Sequence, residues 1–419
     1  MKSKHVIVCG AGVIGLSCAY YLRQRGHEVT VIEREPEQRD GCSFDNAGMI
    51  VPSHFIPLAA PGMVGLGLKW MFNPKGPFRI RPSLSCELLG WGFKFMRAST
   101  AEHVARSAPI LRDLTLASRT LFEELEEKTQ NEFGLVKRGL LMLCQTARAL
   151  EAEAHVVEHA KELGVAANLL TAAGAAELDP NVRMAIAGAV HFPLDCHLTP
   201  ARFMATLLRL NQESGVRFRW ATPATGWRFQ GDRITHVETE AAGSIAGDEF
   251  VLAGGSWSAD LLRPLRLRMP LQAGKGYSLT NPRPRQLPQL CSILCEARVA
   301  VTPMGSALRV GGTMELGAAD STISRTRVKG IIESIPRYFP DFTAEDFQDL
   351  PVWHGLRPCS PDGLPYLGRF SRYPNLTAAT GHAMMGVSLA PITGKLVSEL
   401  LSDERTSLDL RLTQPDRYS

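Results

Sequence analysis

Residues 5–34 read HVIVCGAGVIGLSCAYYLRQRGHEVTVIER, and this stretch decides the fold. The apolar run His5–Cys9 predicts a strand, and the pattern over Val13–Gln24 predicts a helix that ends at Gly26. Residues 29–33, which read VTVIE, are apolar at Val29, Val31 and Ile32 and predict a second strand. The opening of the chain is therefore predicted to be one compact βαβ unit.

Three glycines in this unit indicate a dinucleotide site. Gly10, Gly12 and Gly15 have the G-x-G-x-x-G spacing at the junction of strand and helix, where backbone N–H groups can approach a pyrophosphate. Glu33 ends the second strand, where a carboxylate binds ribose hydroxyls and disfavours the 2′-phosphate of NADP. A second glycine-rich piece at 253–258, which includes Gly254, favours FAD over NAD because FAD needs contacts from several chain segments. The alternative is a chance glycine cluster.

Length and composition narrow the classes of protein. The chain has 419 residues, 45% of them hydrophobic and 21% charged, which excludes a small module and wholesale disorder. The net charge of +4 comes without a basic block, so we expect no nucleic-acid partner.

The first residues of the chain resemble a signal peptide, but the glycine motif explains them better. No apolar run reaches the ~18 residues of a membrane span, and nine scattered cysteines suit a reducing cytoplasm.

The rest of the chain adds elements of a second substructure. We predict helices over 86–128, 147–163 and 200–214, a meander of short strands from 216 to 253, and a second sheet over 271–313. A helix over Arg325–Tyr338 and a last strand over 348–355 follow. His155 and His159 lie four residues apart on a helix, but no further ligand set accompanies them, so no metal site is predicted.

Several further motifs give the sequence a family resemblance. It resembles the FAD-dependent D-amino-acid oxidase superfamily, most of all its bacterial D-amino-acid dehydrogenases, and glycine and sarcosine oxidases more than the eukaryotic oxidases. The matching stretches occur in the family's order at 6–34, 46–48, 59–62, 69–72, 275–278, 309–312, 355–358, 361–363 and 381–382. The resemblance implies an α/β fold with a Rossmann-like, glutathione-reductase-like FAD domain and an α+β substrate domain on a mixed sheet. We expect residues 1–55, 194–264 and 357–419 in the former and residues 56–193 and 265–356 in the latter.

The resemblance also implies which residues hold FAD. The loop 43–49 would lie along the flavin, backbone groups at Ala224 would meet the adenine, and the loop 381–388 would offer N–H groups to the pyrimidine end of the ring. A glycine turn without a ligand is the alternative for that last loop. The candidate cofactor-binding residues are Gly10, Gly12, Val13, Ile14, Gly15, Glu33, Arg34, Ser43, Asn46, Ala47, Gly48, Met49, Ala224, Gly254, Gly381, His382, Met384, Met385, Gly386, Val387 and Ser388.

Three residues are candidates for the substrate site. Arg357, which follows a predicted strand, corresponds to the family's arginine that grips the substrate carboxylate, for which a planar guanidinium suits better than lysine. A solvated surface arginine is the alternative. Tyr277 resembles a family position that borders the substrate, or fills the core, and His54 could line the pocket. Met384 and Met385 suggest an apolar side-chain pocket, and the sequence around residues 194–200 departs from the D-alanine-type enzymes.

The implied activity is FAD-dependent dehydrogenation of a D-amino acid or a secondary amino acid such as a D-proline or D-hydroxyproline, with hydride passing from Cα to flavin N5. The alternatives are a sarcosine- or glycine-type oxidase that uses dioxygen, and a flavoprotein subunit of a multi-subunit amine dehydrogenase. We expect a quinone or a partner protein as electron acceptor. The apolar stretch 55–72 is an active-site lid, a surface for peripheral contact with the inner face of the membrane, or a buried loop.

Overall fold

A computed structural model describes residues 2–81, 85–240, 242–317 and 319–418 of the chain. The strands in these residues are β1 (His5–Cys9), β2 (Glu28–Ile32), β3 (Met49–Ile50), β4 (Phe78–Ile80), β5 (Leu140–Cys144), β6 (Asn168–Thr171), β7 (Gly188–Phe192), β8 (Cys196–His197), β9 (Arg217–Arg219), β10 (Ala224–Gln230), β11 (Arg233–Thr239), β12 (Gly243–Ala246), β13 (Glu249–Leu252), β14 (Gln272–Asn281), β15 (Cys291–Leu294), β16 (Val299–Met304), β17 (Ala307–Leu316), β18 (Val352–Cys359), β19 (Tyr366–Arg369) and β20 (Leu376–Thr380).

The α-helices connect these strands and cover the sheets. They are α1 (Val13–Gln24), α2 (Met63–Met71), α3 (Cys86–Ala98), α4 (Ala101–Lys128), α5 (Ala147–Glu162), α6 (Ala172–Leu178), α7 (Pro200–Glu213), α8 (Ser258–Leu262), α9 (Arg325–Tyr338), α10 (Glu345–Gln348) and α11 (Ala390–Leu401). No helix within the described ranges is long and apolar enough to cross a membrane.

The first sheet contains the predicted βαβ unit. Its six strands lie in the order β19-β20-β13-β1-β2-β9, and all neighbours are parallel except β19 with β20. β1 is buried on both faces: Val6 and Val8 pack in the cluster with α1, α4, α7 and α11, whereas Ile7 and Cys9 pack against β10 and β11. A small antiparallel sheet, β10-β11-β12, therefore covers one face and helices cover the other, as in a Rossmann-like domain.

The second sheet is mixed, as predicted. Its strands run in the order β18-β14-β17-β16-β15-β5-β7-β6, and β4 pairs with β17 at the side. Most neighbours are antiparallel, but β15 with β5 and β17 with β4 are parallel. Helix α9 packs its apolar residues Val328, Ile331 and Ile335 on one face of this sheet. The opposite face is free to form the floor of a cavity.

The structure confirms the α/β fold class and corrects three local predictions. The prediction of one meander over residues 216–253 is wrong. β9 pairs in parallel with β2, and β13 pairs in parallel with β1, both within the first sheet. Of the predicted meander, only β10 and β11, joined by β12, form an antiparallel sheet. The strand predicted over 348–355 is in fact β18, and it is not the last, because β19 and β20 follow it. Arg357 consequently lies inside a strand rather than after one. The division into two domains at the predicted boundaries stays a prediction.

Candidate active site

The glycine turn between β1 and α1 leaves one side open. Gly10 has φ +115°, and a Cβ there would lie 2.5 Å from the Ala253 carbonyl oxygen. A Cβ at Gly15 would lie 1.8 Å from the Gly10 carbonyl oxygen. At Gly12 the nearest atom would be Ser43 Oγ, at 3.6 Å. Helix α1 begins at Gly12 without a side-chain cap and has no acidic residue in its first turn. The open side and the positive helix end fit a pyrophosphate.

The residues around this turn are arranged for the adenosine half of a dinucleotide. Glu33 follows β2, and its carboxylate accepts hydrogen bonds from Ala11 N (2.7 Å) and Glu35 N (3.1 Å). Its carbonyl oxygen accepts a hydrogen bond from Thr222 N, which brings the start of β10 at Ala224 to the same edge. The Arg34 guanidinium stacks over the Trp257 ring, 3.5 Å from its centroid. Two chain segments therefore meet the first βαβ unit here.

The loop 43–49 is held in place by the second sheet. Ser43 Oγ accepts a hydrogen bond from Val13 N (3.1 Å), which ties the start of the loop to α1. The Arg309 guanidinium, on β17, bonds to the Asp45 carboxylate and to the Asn46 carbonyl oxygen (2.9 Å). Ser278 Oγ, on β14, donates to the Asp45 carbonyl oxygen at 3.0 Å. Two neighbouring strands thus fix the loop that carries Asn46, Ala47, Gly48 and Met49.

The turn 381–388 leads into α11 and joins the same loop. It contains a short 3-10 helix, Ala383–Met385, and Gly381 has φ +79°. Ser388 Oγ donates to the Met49 carbonyl oxygen (2.9 Å) and accepts from Val51 N (3.2 Å). Burial lowers the pKa of His382 to about 3, so its imidazole is neutral and bonds to Thr393 Oγ1 at 2.9 Å. Gly386 and Val387 complete the turn.

Helix α11 supplies a second positive helix end. Like α1, it begins without a side-chain cap and without an acidic residue in its first turn. It crosses α1 closely, since a Cβ at Gly394 would lie 2.5 Å from the Ser17 carbonyl oxygen. Such an end stabilises negative charge, which is what a reduced flavin carries at its pyrimidine edge. The two helix ends fit the two anionic regions of FAD.

A cavity of about 450 Å³ lies where these loops face the second sheet. Its floor follows the register across the strands, from Ser278 through Gly311, Ala300 and Ile293 to Met142. Its other walls include Ala47, Met49, Met384 and Met385 from the loops that would hold the flavin, and apolar side chains of α2 and α3. The cavity therefore lies between the second sheet and the loops that are candidates for contact with the flavin.

Arg357 is the charged group at the β18 end of this floor. A Cβ at Gly276 would lie only 2.1 Å from Arg357 Nη1, so the guanidinium rests directly on the bare backbone of β14. Nη1 donates to the Thr313 carbonyl oxygen at 2.8 Å. Thr313 has φ +68°, an unfavourable conformation for a β-branched residue. It lies where the register between β14 and β17 shifts, and such bulges redirect backbone groups.

The other two predicted substrate residues lie in different surroundings. Tyr277 lines the cavity, but its side chain is buried, and its hydroxyl donates to Glu315 Oε1 (2.5 Å) and accepts from Ser324 N (3.2 Å). Burial, in the first place, raises the pKa of this phenol. His54 also lines the cavity, and burial together with the charge of Arg298 lowers its pKa to about 4. The roles of both residues stay predictions.

Comparison with known proteins agrees with this geometry. The family described as FAD dependent oxidoreductase matches residues 5–400 of the chain. The chain belongs to this family. It is 33% identical to the D-amino acid dehydrogenase of Granulibacter bethesdensis over 96% of this chain and 97% of that protein. It is 34% identical to the D-amino acid dehydrogenase of Cereibacter sphaeroides over 98% and 96% of the two chains.

Solved structures support the fold. Glycine oxidase from Geobacillus kaustophilus superposes with a TM-score of 0.80 at 24% identity and covers 100% of both chains. L-Proline dehydrogenase from P. horikoshii superposes with a TM-score of 0.77 at 18% identity, over 100% of this chain and 98% of that one. As a member of the FAD-dependent oxidoreductases, the protein is an enzyme whose cofactor is FAD, and the glycine turn and the two uncapped helix ends fit that cofactor.

Several residues that shape the site are not among the candidates from the sequence. Arg309 and Ser278 bond to the loop 43–49, the Thr313 carbonyl oxygen accepts a hydrogen bond from Arg357, and Arg298 lines the cavity as a second arginine. The signal that could have identified Arg309 is its charge between the apolar Leu308 and Val310 in a strand-like stretch. The unusual backbone of Thr313 leaves no such signal in the sequence, because it results from pairing with a distant strand.

Proposed function

We propose that this flavoenzyme oxidises the Cα–N bond of a D-amino acid or a cyclic secondary amino acid. The proposal rests on the position of Arg357, which faces a largely apolar cavity bordered by the loops 43–49 and 381–388. The names of the two dehydrogenase relatives support the same substrate class. When bound, FAD accepts the hydride from Cα and supplies the redox chemistry.

The carboxylate of the substrate binds to Arg357. One N–H of its guanidinium is used on the Thr313 carbonyl oxygen, and the others remain for a two-pronged contact with a carboxylate. The cavity walls from α2, α3 and Met142 exclude water from the reacting carbon. Because the amine can enter neutral, the reaction requires no side-chain base. The imino acid is then hydrolysed by water, or persists if the substrate is a ring.

Anaerobic bleaching of the flavin tests this function. A panel of D-amino acids, their L-enantiomers, D-proline, glycine and sarcosine is mixed with the holoenzyme without any acceptor. We expect bleaching by D- but not L-enantiomers, and the variant Arg357→Met should bind the same substrates roughly ten- to a hundredfold more weakly, with FAD retained. Bleaching by glycine and sarcosine alone, or unchanged substrate affinity in Arg357→Met, would contradict the proposal.

We further propose a membrane quinone as the electron acceptor. Helices α2 and α3 line the cavity with Leu68 and Met96. Large apolar side chains of the same region are exposed to solvent. Phe72, which directly follows α2, is 89% exposed, and Leu89 in α3 is 63% exposed. Lys69, Lys94 and Arg97 stand on the same two helices. Apolar side chains flanked by cations are typical of surfaces that rest on an anionic bilayer.

Sedimentation with vesicles of anionic phospholipid tests this surface. The double variant Phe72→Ser/Leu89→Ser should pellet with the vesicles several-fold less than the wild type, because ~0.8 kcal/mol is lost for each methylene no longer buried. The control Leu169→Ser removes a side chain of β6 that is 51% exposed and lies elsewhere, and it should pellet like the wild type. Equal pelleting of the double variant and the wild type would exclude a role of this surface.

A further inference from the structure

The end of the cavity away from Arg357 has its own polar group, His54. Its chain neighbours Val51 and Phe55 pack with Met142 and Ile293, at the end of the floor opposite to Arg357. Burial together with the charge of Arg298 lowers the pKa of His54. Arg357 belongs to β18 at one edge of the floor, and Arg298 directly precedes β16, three strands further across the sheet. If the substrate carboxylate binds to Arg357, as proposed above, His54 faces the substrate's side chain.

His54 is connected to a buried carboxylate through one hydroxyl. Ser53 Oγ lies 3.0 Å from His54 Nδ1 and 2.5 Å from Asp195 Oδ2. Ser53 N donates to Asp195 Oδ1 at 3.0 Å. Asp195 is fully buried, and among the described residues Ser53 is the only one whose groups donate to its carboxylate. The three side chains form a single row that ends in the cavity.

The directions of these hydrogen bonds fix the tautomer of His54. Burial raises the pKa of Asp195 to about 7, so above that pH its carboxylate is ionised and only accepts, and the one proton of the Ser53 hydroxyl points to Asp195. Ser53 Oγ must then accept from His54, which requires the proton of the neutral imidazole to be on Nδ1. His54 Nε2 consequently carries a lone pair, and no described residue donates to it. The cavity therefore presents a hydrogen-bond acceptor at this end.

We propose that His54, held as the Nδ1–H tautomer by Ser53 and Asp195, selects substrates whose side chain carries an uncharged hydrogen-bond donor, a hydroxyl or an amide. A cationic side chain would be repelled by the nearby Arg298. An anionic side chain has no proton to give to Nε2. A hydroxyl or an amide donates to Nε2 and can also accept from Arg298. Ser53 and Asp195 are positioning residues, and His54 is the residue that contacts the substrate.

Matched substrate pairs test the selection at a pH well above 7, where Asp195 is ionised. D-Threonine and D-valine have nearly the same shape, and we expect kcat/KM for flavin reduction to favour D-threonine roughly tenfold in the wild type. In His54→Phe this ratio should fall to about one. A wild type that treats the two alike, or that prefers D-aspartate to D-asparagine, overturns the inference but leaves the proposed function intact. Failure of every D-amino acid to bleach the flavin would instead refute the proposed function itself.

The positioning role has a spectroscopic readout. In holoenzyme labelled with ¹⁵N-histidine, kept at a pH well above 7 where Asp195 is ionised, and with His54 assigned by its loss in His54→Phe, we expect Nδ1 to carry the proton. In Asp195→Asn the amide donates to Ser53 Oγ, the hydroxyl turns to Nδ1, and the proton should move to Nε2. Ser118→Ala removes a buried hydroxyl for which the described part of the chain offers no partner, and it should leave the spectrum of His54 unchanged. A wild type protonated at Nε2 would refute the assigned tautomer.

Discussion

Replacing Gly276 by alanine should displace Arg357 without disturbing the fold. The new Cβ would lie 2.1 Å from Nη1, 2.3 Å from Nη2 and 2.4 Å from Cζ. Ordinary contact begins near 3.4 Å, so the guanidinium must retreat by about 1.3 Å, the difference between 3.4 and 2.1 Å. The neighbour that gives way is the end of a flexible side chain, and Gly276 does not have a positive φ, so the backbone accepts alanine.

A shift of this size should impair substrate binding strongly. Hydrogen bonds to a charged group contribute about 1.5–3 kcal/mol each, and a misplacement of about 1 Å can lower a rate roughly a hundredfold. We expect the dissociation constant for the substrate to rise tenfold or more and the limiting rate of flavin reduction to fall. Anaerobic stopped-flow measurement of the flavin absorbance gives both values, and the FAD content and melting temperature should stay those of the wild type.

Gly90→Ala provides the control for a glycine-to-alanine change as such. Gly90 lies in α3, and a Cβ there would meet nothing within 4 Å. This variant should reduce its flavin like the wild type. If Gly276→Ala also keeps both constants within twofold of the wild type, Arg357 does not hold the carboxylate, and the assignment of the substrate's orientation is wrong.

Two further predictions concern the cofactor and the buried carboxylate. Gly12→Val should fold but lose most of its FAD, because its side chain would enter the space open to the pyrophosphate; an unchanged ratio of flavin to protein absorbance would argue against that placement. Burial raises the pKa of Asp195 from 3.8 to about 7, so the folded protein retains a proton that the unfolded chain releases, and stability declines as pH rises from about 4 to 7. Relative to the wild type, Asp195→Asn should therefore gain up to roughly 4 kcal/mol between pH 4 and pH 8; a pH-independent difference in melting temperature would contradict the shift.

Local patterns in the sequence were sufficient to predict much of the fold. α1, α9 and β1 have the predicted bounds, because apolar periodicity and the flanking residues mark them within the segment itself. The incorrect prediction at Arg357 has a physical cause. Pro358 follows Arg357, and a proline usually indicates the end of a strand. However, β18 is an edge strand of its sheet, where the missing N–H of a proline is tolerated. The pairing of β9 with β2 likewise depends on a contact between distant segments.

The candidate site was predictable in its residue types but not in its geometry, and the pair β14–β17 explains why. These two strands bond to the loop 43–49 through Ser278 and Arg309, and their shifted register places Gly276 and Thr313 beneath Arg357. If Arg357 holds the substrate carboxylate and the loop 43–49 lies beside the flavin, as proposed, this one pair of strands sets both positions. The separation between Cα and the flavin then depends on local backbone pairing rather than on the relative placement of the two large sheets. A one-residue change in this register would move both partners of the hydride transfer, and no motif in the sequence records it.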